Sequence, residues 1–421
     1  MAITPQQPLA EVELEASPEE VAQGLRYLPG MVFLDSSRSE FSSDSGRDES
    51  FSLIAANPIE TITGDFFQKA DREALRKLWR KHRIEGAPDL GFPLGGLIGT
   101  IDYDGSFHFG CYPEMLIHDG SENRWLEVGS PSKAWDCGAK IAEPPEIQFQ
   151  SEVSKEKFCG MVAAAKEYIA AGDIYQVNLS QQFRAAWPEG ADPFSIYRNL
   201  REASPAPFSA YLDSGDRRVL SSSPEQFLRI SGRTIQTRPI KGTRPRFRDR
   251  ERDEKSAYDL ITSPKEISEL IMITDLERND IGQICEFGSV EASELLKLER
   301  YAQVFHLVST VEGTMREEVD HIEAVHACFP GGSITGAPKK RAREIITELE
   351  PVARGLYTGA IGCFGFNGES RFNIAIRTAI EEKGELHFHV GAGIVADSIP
   401  EMEWEETLHK AAGIFRACGV S

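Results

Sequence analysis

Two pairs of glutamates, Glu266 with Glu269 and Glu403 with Glu406, stand three residues apart in segments patterned as helix. That spacing puts both carboxylates of a pair on one helix face. Four hard oxygen donors brought together suit Mg²⁺, which takes one or two protein carboxylates directly and keeps several waters; each pair alone is also the ordinary pattern of a solvated face. Lys241, between Pro239-Ile240 and Gly242-Thr243, lies in a run with Arg238, Arg244, Arg246 and Arg248. Neighbouring cations and burial lower a lysine pKa and free the neutral amine that a nucleophile needs; a solvated basic turn is the plain alternative. Gly391-Ala392-Gly393, directly after a predicted strand Leu386–Val390, offers either backbone N–H groups for a carboxylate or a tight turn. The glycine-rich stretch Pro330–Lys339 enters a helix with Pro338 among its first positions, where free N–H groups favour an anion. A Walker loop needs lysine straight after its second glycine, and Ala337 follows Gly336, so nucleoside triphosphate binding of that kind is excluded.

Strands and helices must bring these points together. Met31–Leu34, Phe51–Ala55 and Gly95–Tyr103 are apolar runs bounded by turn residues and predict strands, with an amphipathic helix near Asp71–Lys81. Downstream the pattern predicts a helix over Lys155–Ala171 stopped by Gly172, then strands at Tyr175–Phe183, Ser209–Leu212, Arg218–Ser221 and Phe227–Thr237. One long helix over Ala257–Cys285 and another over Lys339–Glu350 follow, then strands Tyr357–Phe366, Ser370–Ile380 and Glu385–Gly391 and a last helix over Glu401–Ala417. Antiparallel hairpins without regular βαβ alternation make the class α+β. Pro144-Pro145 marks an organisational boundary, giving a β-rich region over 1–145 and a catalytic region over 146–421.

A formal net charge of −20, from 66 acidic against 46 basic side chains, argues against nucleic acid and anionic membranes as partners. Any anionic substrate must be held by a few placed cations, a metal or backbone N–H groups. The seven cysteines are scattered without C-x-x-C spacing and read as reduced thiols. With no apolar run of about 18 residues and no basic, apolar leader, the expectation is a soluble cytoplasmic protein.

Several stretches, taken in order, closely resemble the chorismate-utilising family of anthranilate, aminodeoxychorismate, isochorismate and salicylate synthases. They are Ile174-Tyr175-Gln176-Val177-Asn178-Leu179-Ser180, Ser223-Pro224-Glu225, Pro239–Thr243, Asp275-Leu276-x-Arg278-Asn279-Asp280, His306-Leu307-Val308-Ser309, Pro330–Lys339, Ile376-Arg377, Gly391–Gly393 and Glu406-Thr407-x-x-Lys410. The resemblance implies a large layered β-sandwich with helices packed outside. It also implies Mg²⁺ held by Glu269 and Glu406, with Glu266 and Glu403 reaching it through water, against the ring carboxylate of chorismate. Arg377, Tyr357 and the amides of Ala392 and Gly393, next to Gly391, fall where the family binds the enolpyruvyl carboxylate. Gly242, Thr243, His306, Ser333 and Lys410 match further pocket positions.

Isochorismate and salicylate synthases resemble one another in carrying a water-activating lysine where this chain has Gln176, which disfavours water as the nucleophile. Anthranilate synthases usually carry alanine at the place of Lys241, and aminodeoxychorismate synthases carry lysine. The implied reaction is amination of chorismate at C4 to 4-amino-4-deoxychorismate, for 4-aminobenzoate and folate synthesis. In it Lys241 attacks C2 and Glu225, its pKa raised by burial, protonates the departing C4 hydroxyl. No cysteine lies in a G-x-C-x-G nucleophile turn, and the family implies a separate glutamine amidotransferase subunit as the ammonia source. Ser36, Ser50, Phe51, Pro207, Phe208 and Ser209 fall where related subunits build a tryptophan pocket, a feedback site in anthranilate synthases. Two other readings stand beside this one. Anthranilate synthase component I, with Lys241 incidental, is told apart by its product; a non-catalytic subunit sensing chorismate or tryptophan is opposed by the presence of every expected carboxylate.

Overall fold

A computed structural model describes residues 9–36, 51–86, 90–301 and 304–420. Two antiparallel sheets of twelve and ten strands organise them. The first runs Leu9–Val12, Arg124–Val128, Met115–Asp119, Phe51–Ala55, Val32–Asp35, Phe208–Asp213, Arg217–Ser223, Thr378–Glu382, Glu385–Ile394, Gln176–Ala186 and Gly336–Ala337, with Gln150–Ser151 also on Gln176–Ala186. The second runs Ile240–Pro245, Val304–Thr314, Thr234–Arg238, Gln226–Ser231, Glu369–Ile374, Ala360–Gly365, Gly96–Ile101, Ser106–Tyr112 and Glu60–Asp65, with Glu291–Arg300 also on Val304–Thr314.

Side-chain alternation along these strands builds the layers. Val32, Leu53 and Leu212 of the first sheet pack with Ile98, Tyr112 and Ile361 of the second between the sheets. Their neighbours Phe33, Ile54 and Tyr211 point the other way, onto Ile196, Tyr197 and Ile414 of the covering helices. On the outer face of the second sheet, Phe109, Phe227 and Phe364 pack against Leu75, Trp79, Ile281 and Val325. Strands buried on both faces read as continuous apolar runs, as Phe51–Ala55 does. Each fully buried side chain of this size contributes about 1.5–3 kcal/mol. A layered α+β sandwich with helices outside follows.

The predicted helix Ala257–Cys285 is two helices, Arg250–Ile261 and Pro264–Gly282. Ser263 caps the second, its side chain accepting from the Glu266 N–H, and Pro264 opens it, so Thr262-Ser263-Pro264 is a stop and a start in three residues. The predicted strand Ser370–Ile380 likewise divides into Glu369–Ile374 and Thr378–Glu382. Arg377 lies in the break with φ +49°, a left-handed conformation that ends pairing. Tyr357–Phe366 pairs only from Ala360, since Thr358 at φ +62° belongs to a turn.

Strands from both sides of the 145/146 division share both sheets: Val32–Asp35 pairs with Phe208–Asp213, and Gly96–Ile101 with Ala360–Gly365. No disulfide joins the seven cysteines, five of which are buried. Among the described residues no helix is long and apolar enough to cross a membrane.

Candidate active site

A cavity of about 680 Å³, a size typical of small-molecule sites, is lined by both sheets and by the helices Pro193–Ala203, Pro264–Gly282 and Pro400–Ala417. Lys241 enters it from the strand Ile240–Pro245, where Lys241 pairs with Leu307 and Thr243 with His306, leaving Gly242 as the extra residue of a bulge. Gly242 has φ +76°, and a Cβ there would stand 2.6 Å from Leu260 Cδ1 and 3.0 Å from Glu266 Oε2. Glycine is therefore required by both torsion and space. Lys241 Nζ donates to the Ser333 carbonyl at 3.2 Å, and Thr243 Oγ1 lies 3.0 Å from His306 Nδ1. The cationic surroundings expected from the arginine run are not there: Arg238 pairs with Glu299, Arg244 with Glu266 and Arg246 with Asp253. The charges acting between Lys241 and its surroundings are those of Glu225, Glu269 and Glu406.

Glu225, at the turn between Arg217–Ser223 and Gln226–Ser231, is 5% exposed, and its Oε1 has no protein partner. Burial raises its pKa, against the pull of Lys241, the Ser333 hydroxyl, the Ile240 backbone and Lys410. A buried carboxyl whose pKa is raised, standing beside an amine, is suited to donate a proton.

The four paired glutamates meet at the helices Pro264–Gly282 and Pro400–Ala417. Lys265 Nζ stands 4.0 Å from Glu269 Oε1 and 3.9 Å from Glu403 Oε1, bridging the helices. Burial and repulsion from Glu266 and Glu406 raise Glu269; burial and Glu406 likewise raise Glu403. Glu406 is held below the usual range despite burial, by Lys410 at 2.7 Å. Glu269 Oε1 and Glu403 Oε2 are buried without hydrogen-bond partners. Among the described residues no three carboxylate, histidine or cysteine side chains are already gathered as a closed metal cluster. Orphaned carboxylate oxygens of this kind fit a cation that takes one or two carboxylates and keeps its waters.

The other end of the cavity is positive. Arg377 has no ion pair or hydrogen bond to its guanidinium among the described residues, and burial lowers its pKa. Lys410 Nζ donates to the Gly391 carbonyl at 2.9 Å; burial opposes its charge, but Glu406 raises its pKa. His306 is pushed down to about 3 by burial and by Arg377, so it is a neutral hydrogen-bonding group. Tyr357 stacks on His389 with ring centroids 5.4 Å apart. A Cβ on Gly391 would stand 2.6 Å from the Tyr357 hydroxyl, so glycine lets that hydroxyl in.

Two expectations change. Gly391, Ala392 and Gly393 lie inside the strand Glu385–Ile394, paired with Ser180, Leu179 and Asn178, and are not a turn after it. Thr378–Glu382 covers the opposite edge only as far as Phe388, so beyond that point the edge is open beside the cavity lined by Gly391 and Gly393. Ala392 points away, into a core with Leu179 and Ile394. In the Pro330–Lys339 loop the anion is the protein's own: Glu277 accepts the Gly332 N–H, and Lys339 goes to Asp280 and the Cys328 carbonyl. Gln176 is 1% exposed, and a Cβ on Gly393 would stand 2.7 Å from its Nε2.

Sequence reasoning missed His389, Asn178 and Lys265 as cavity residues. For Asn178 and His389 the signal is strand register, which is fixed only once Gln176–Ala186 and Glu385–Ile394 pair. Lys265, next to Glu266, had a visible cue in its place on the glutamate helix. Ser36, Phe51, Pro207, Phe208 and Ser209 do gather, around a second pocket of about 70 Å³ between the sheets; Ser50 lies outside the described residues. There the Ser36 hydroxyl donates to the Phe51 carbonyl, and Arg371 lies 4.7 Å over the Phe51 ring.

Residues 42–416 match the family model described as chorismate binding enzyme. An aminodeoxychorismate synthase component 1 from Bacillus subtilis is 36% identical, over 90% of this chain and 91% of its own length. An anthranilate synthase component 1 from Thermus thermophilus is 46% identical, over 88% and 90%. Among solved structures, anthranilate synthase component I from Streptococcus pneumoniae superposes with a TM-score of 0.77 at 28% identity, covering 91% of this chain and 95% of that one. MenF, the menaquinone-specific isochorismate synthase from Escherichia coli, shares the fold at a TM-score of 0.76 and 17% identity, covering 98% and 94%. With a family model spanning the cavity and relatives aligned along almost the whole chain, the protein belongs to the chorismate-binding enzyme family.

Proposed function

We propose that the protein aminates chorismate at C4, giving 4-amino-4-deoxychorismate for 4-aminobenzoate and folate synthesis, with ammonia from a glutamine amidotransferase subunit. The observation that carries this reading is Lys241, held by the Ser333 carbonyl in the same cavity as the buried Glu225, whose pKa burial raises. Arg377 and Tyr357 bind the enolpyruvyl carboxylate. Mg²⁺, held by Glu269 and Glu406 with Glu266 and Glu403 through water, would neutralise the ring carboxylate and draw electron density toward it.

Attack requires Lys241 as the free amine, which forms a bond to C2. The C1=C2 pair moves to C1–C6, the C5=C6 pair moves to C4–C5, and the C4–O bond breaks; Glu225 gives its proton, and water leaves. Ammonia then bonds to C4, both pairs return, and the C2–N bond breaks to free the lysine amine. The new C4 ammonium returns a proton to Glu225, so the sum is chorismate plus ammonia to aminodeoxychorismate plus water. Resting enzyme thus reappears with its acid and amine restored.

Incubation with chorismate, Mg²⁺ and an ammonium salt tests the reading: 4-amino-4-deoxychorismate is expected, and a chorismate adduct on Lys241 in protein quenched during turnover. Anthranilate as the sole product would overturn it in favour of component I of anthranilate synthase, the activity named for the 46% identical relative. No turnover with ammonia at any Mg²⁺ concentration would favour a binding subunit instead.

A further inference from the structure

The helix that carries Glu266 and Glu269 carries another buried carboxyl that this reaction does not use. Glu277 is 2% exposed; its Oε1 accepts the Gly332 N–H at 2.9 Å and its Oε2 has no partner. One residue along, the Ser333 carbonyl accepts Lys241 Nζ, and the Ser333 hydroxyl bears on Glu225. The loop sits hard on the helix, since a Cβ on Gly332 would stand 2.6 Å from Leu276 Cδ2 and 3.0 Å from Glu277 Oε1. Other tethers of the loop, from Thr335 Oγ1 to the Gly331 carbonyl and from Arg354 Nη1 to the Ile334 carbonyl, do not titrate near neutral pH.

A glutamine could make the Oε1 contact without burying an ionisable group, so the carboxyl points to a property that an amide lacks. Four titratable groups face it: Asp280 on its own helix, Lys339 at the start of the following helix, Cys328 at the end of His321–Cys328, and Glu225. We propose that Glu277 is a positioning residue for the amination site, whose carboxylate fixes the Gly332 N–H and thereby sets the Ser333 carbonyl that holds Lys241. The inference rests on the amine role of Lys241 given above. Burial and Asp280 raise Glu277 to about 7, against Lys339 and the Gly332 N–H. Its anion therefore grips the loop above that pH and relaxes below it.

Two measurements on the full chain test this. The first is the rate of Lys241 acetylation by trace acetic anhydride, followed by peptide mass spectrometry from about pH 6 to 9, which needs no turnover. Wild-type labelling should show an inflexion near 7 that Glu277→Gln lacks. The second is steady-state amination at constant free ammonia, in which Glu277→Gln should lower kcat about tenfold at pH 8 with chorismate KM changed less than about threefold. Its kcat profile should also lose the limb near 7. Superimposable labelling and kcat profiles for the two proteins would overturn the inference. If Glu277→Gln does not fold, wild-type labelling alone decides, and a curve without an inflexion between about pH 6 and 8 overturns it. Labelling that follows Glu277 in a protein making only anthranilate would leave the Glu277 hold on Lys241 standing and remove the C4 reading together with the role in amination, so the two fail distinguishably.

Discussion

Arg377 meets no carboxylate among the described residues, in a chain with 66 acidic residues. A partly buried cation left without a partner is one arranged for a ligand anion. Arg377→Ala should lower kcat/KM for chorismate about 10- to 100-fold, mostly through KM, as expected for loss of a charged hydrogen bond of about 1.5–3 kcal/mol. Initial rates against chorismate concentration measure it. Glu225 works in the opposite sense: as an acid it acts while protonated, so its raised pKa keeps it competent to higher pH and activity falls as pH rises through that value. Glu225→Gln should reduce kcat about 10²- to 10⁴-fold and remove the alkaline limb of the kcat/KM profile. At this scale type and spacing singled out Lys241 and the four glutamates while leaving a solvated role open for each, and family motifs added Glu225 and Arg377; Lys241, Glu225, Arg377, Glu266, Glu269 and Glu406 line one cavity. His389 and Asn178 were not legible, because nothing in either residue says which way its strand faces.

Gly242 shows how an element places a residue. Gly242→Ala would push a Cβ into Leu260 and Glu266 at a left-handed position, straightening the bulge or straining it by about 1–3 kcal/mol. The expected outcome is a lower melting temperature together with a kcat loss larger than the change in KM, read by calorimetry and kinetics. Elements were half legible. Helix Lys155–Ala171 and its Gly172 stop appear where the pattern put them, with Gly172 left-handed at φ +84°. The break at Thr262-Ser263 was missed because helix-forming patterns flank it on both sides, although the Ser-Pro cap was in view. Glu277 gives the element a pH signature in stability as well. Its folded pKa is raised, so its stabilising contribution is whole below about 4.5 and is lost as pH rises through about 7. Glu277→Gln should therefore raise the melting temperature relative to wild type at pH 8 and leave it nearly unchanged at pH 5, as differential scanning calorimetry would record.

Across the whole molecule each sheet joins a block of early strands to a block of late ones, which composition and periodicity do not reveal. Pro144-Pro145 marks a change in pattern, yet Val32–Asp35 and Gly96–Ile101 are the strands that join the early block of each sheet to strands beyond 200. A fragment of residues 146–421 would bare the edges of Phe208–Asp213 and Ala360–Gly365 and should lack a cooperative unfolding transition; a fragment that melts cooperatively and binds chorismate would contradict this. Long-range pairing of this kind is set by which apolar faces meet, and that information is distributed over many residues. The α+β class was legible in the pattern of predicted elements and the layered sandwich through family motifs, and the sheet order was not. The same fold at 17% identity in MenF shows how little of it rests on particular residues.

The strand Glu385–Ile394 loses its neighbour after Phe388, and its bare edge continues beside the cavity. An unpaired edge at a protein's surface is a template on which other chains stack and aggregate. Here the edge ends inside the fold, behind Tyr357 and Lys410, where another polypeptide cannot lie along it. The Gly391 carbonyl is already taken by Lys410; the rest of that stretch lies beside the cavity, where a small guest fits and a second strand does not.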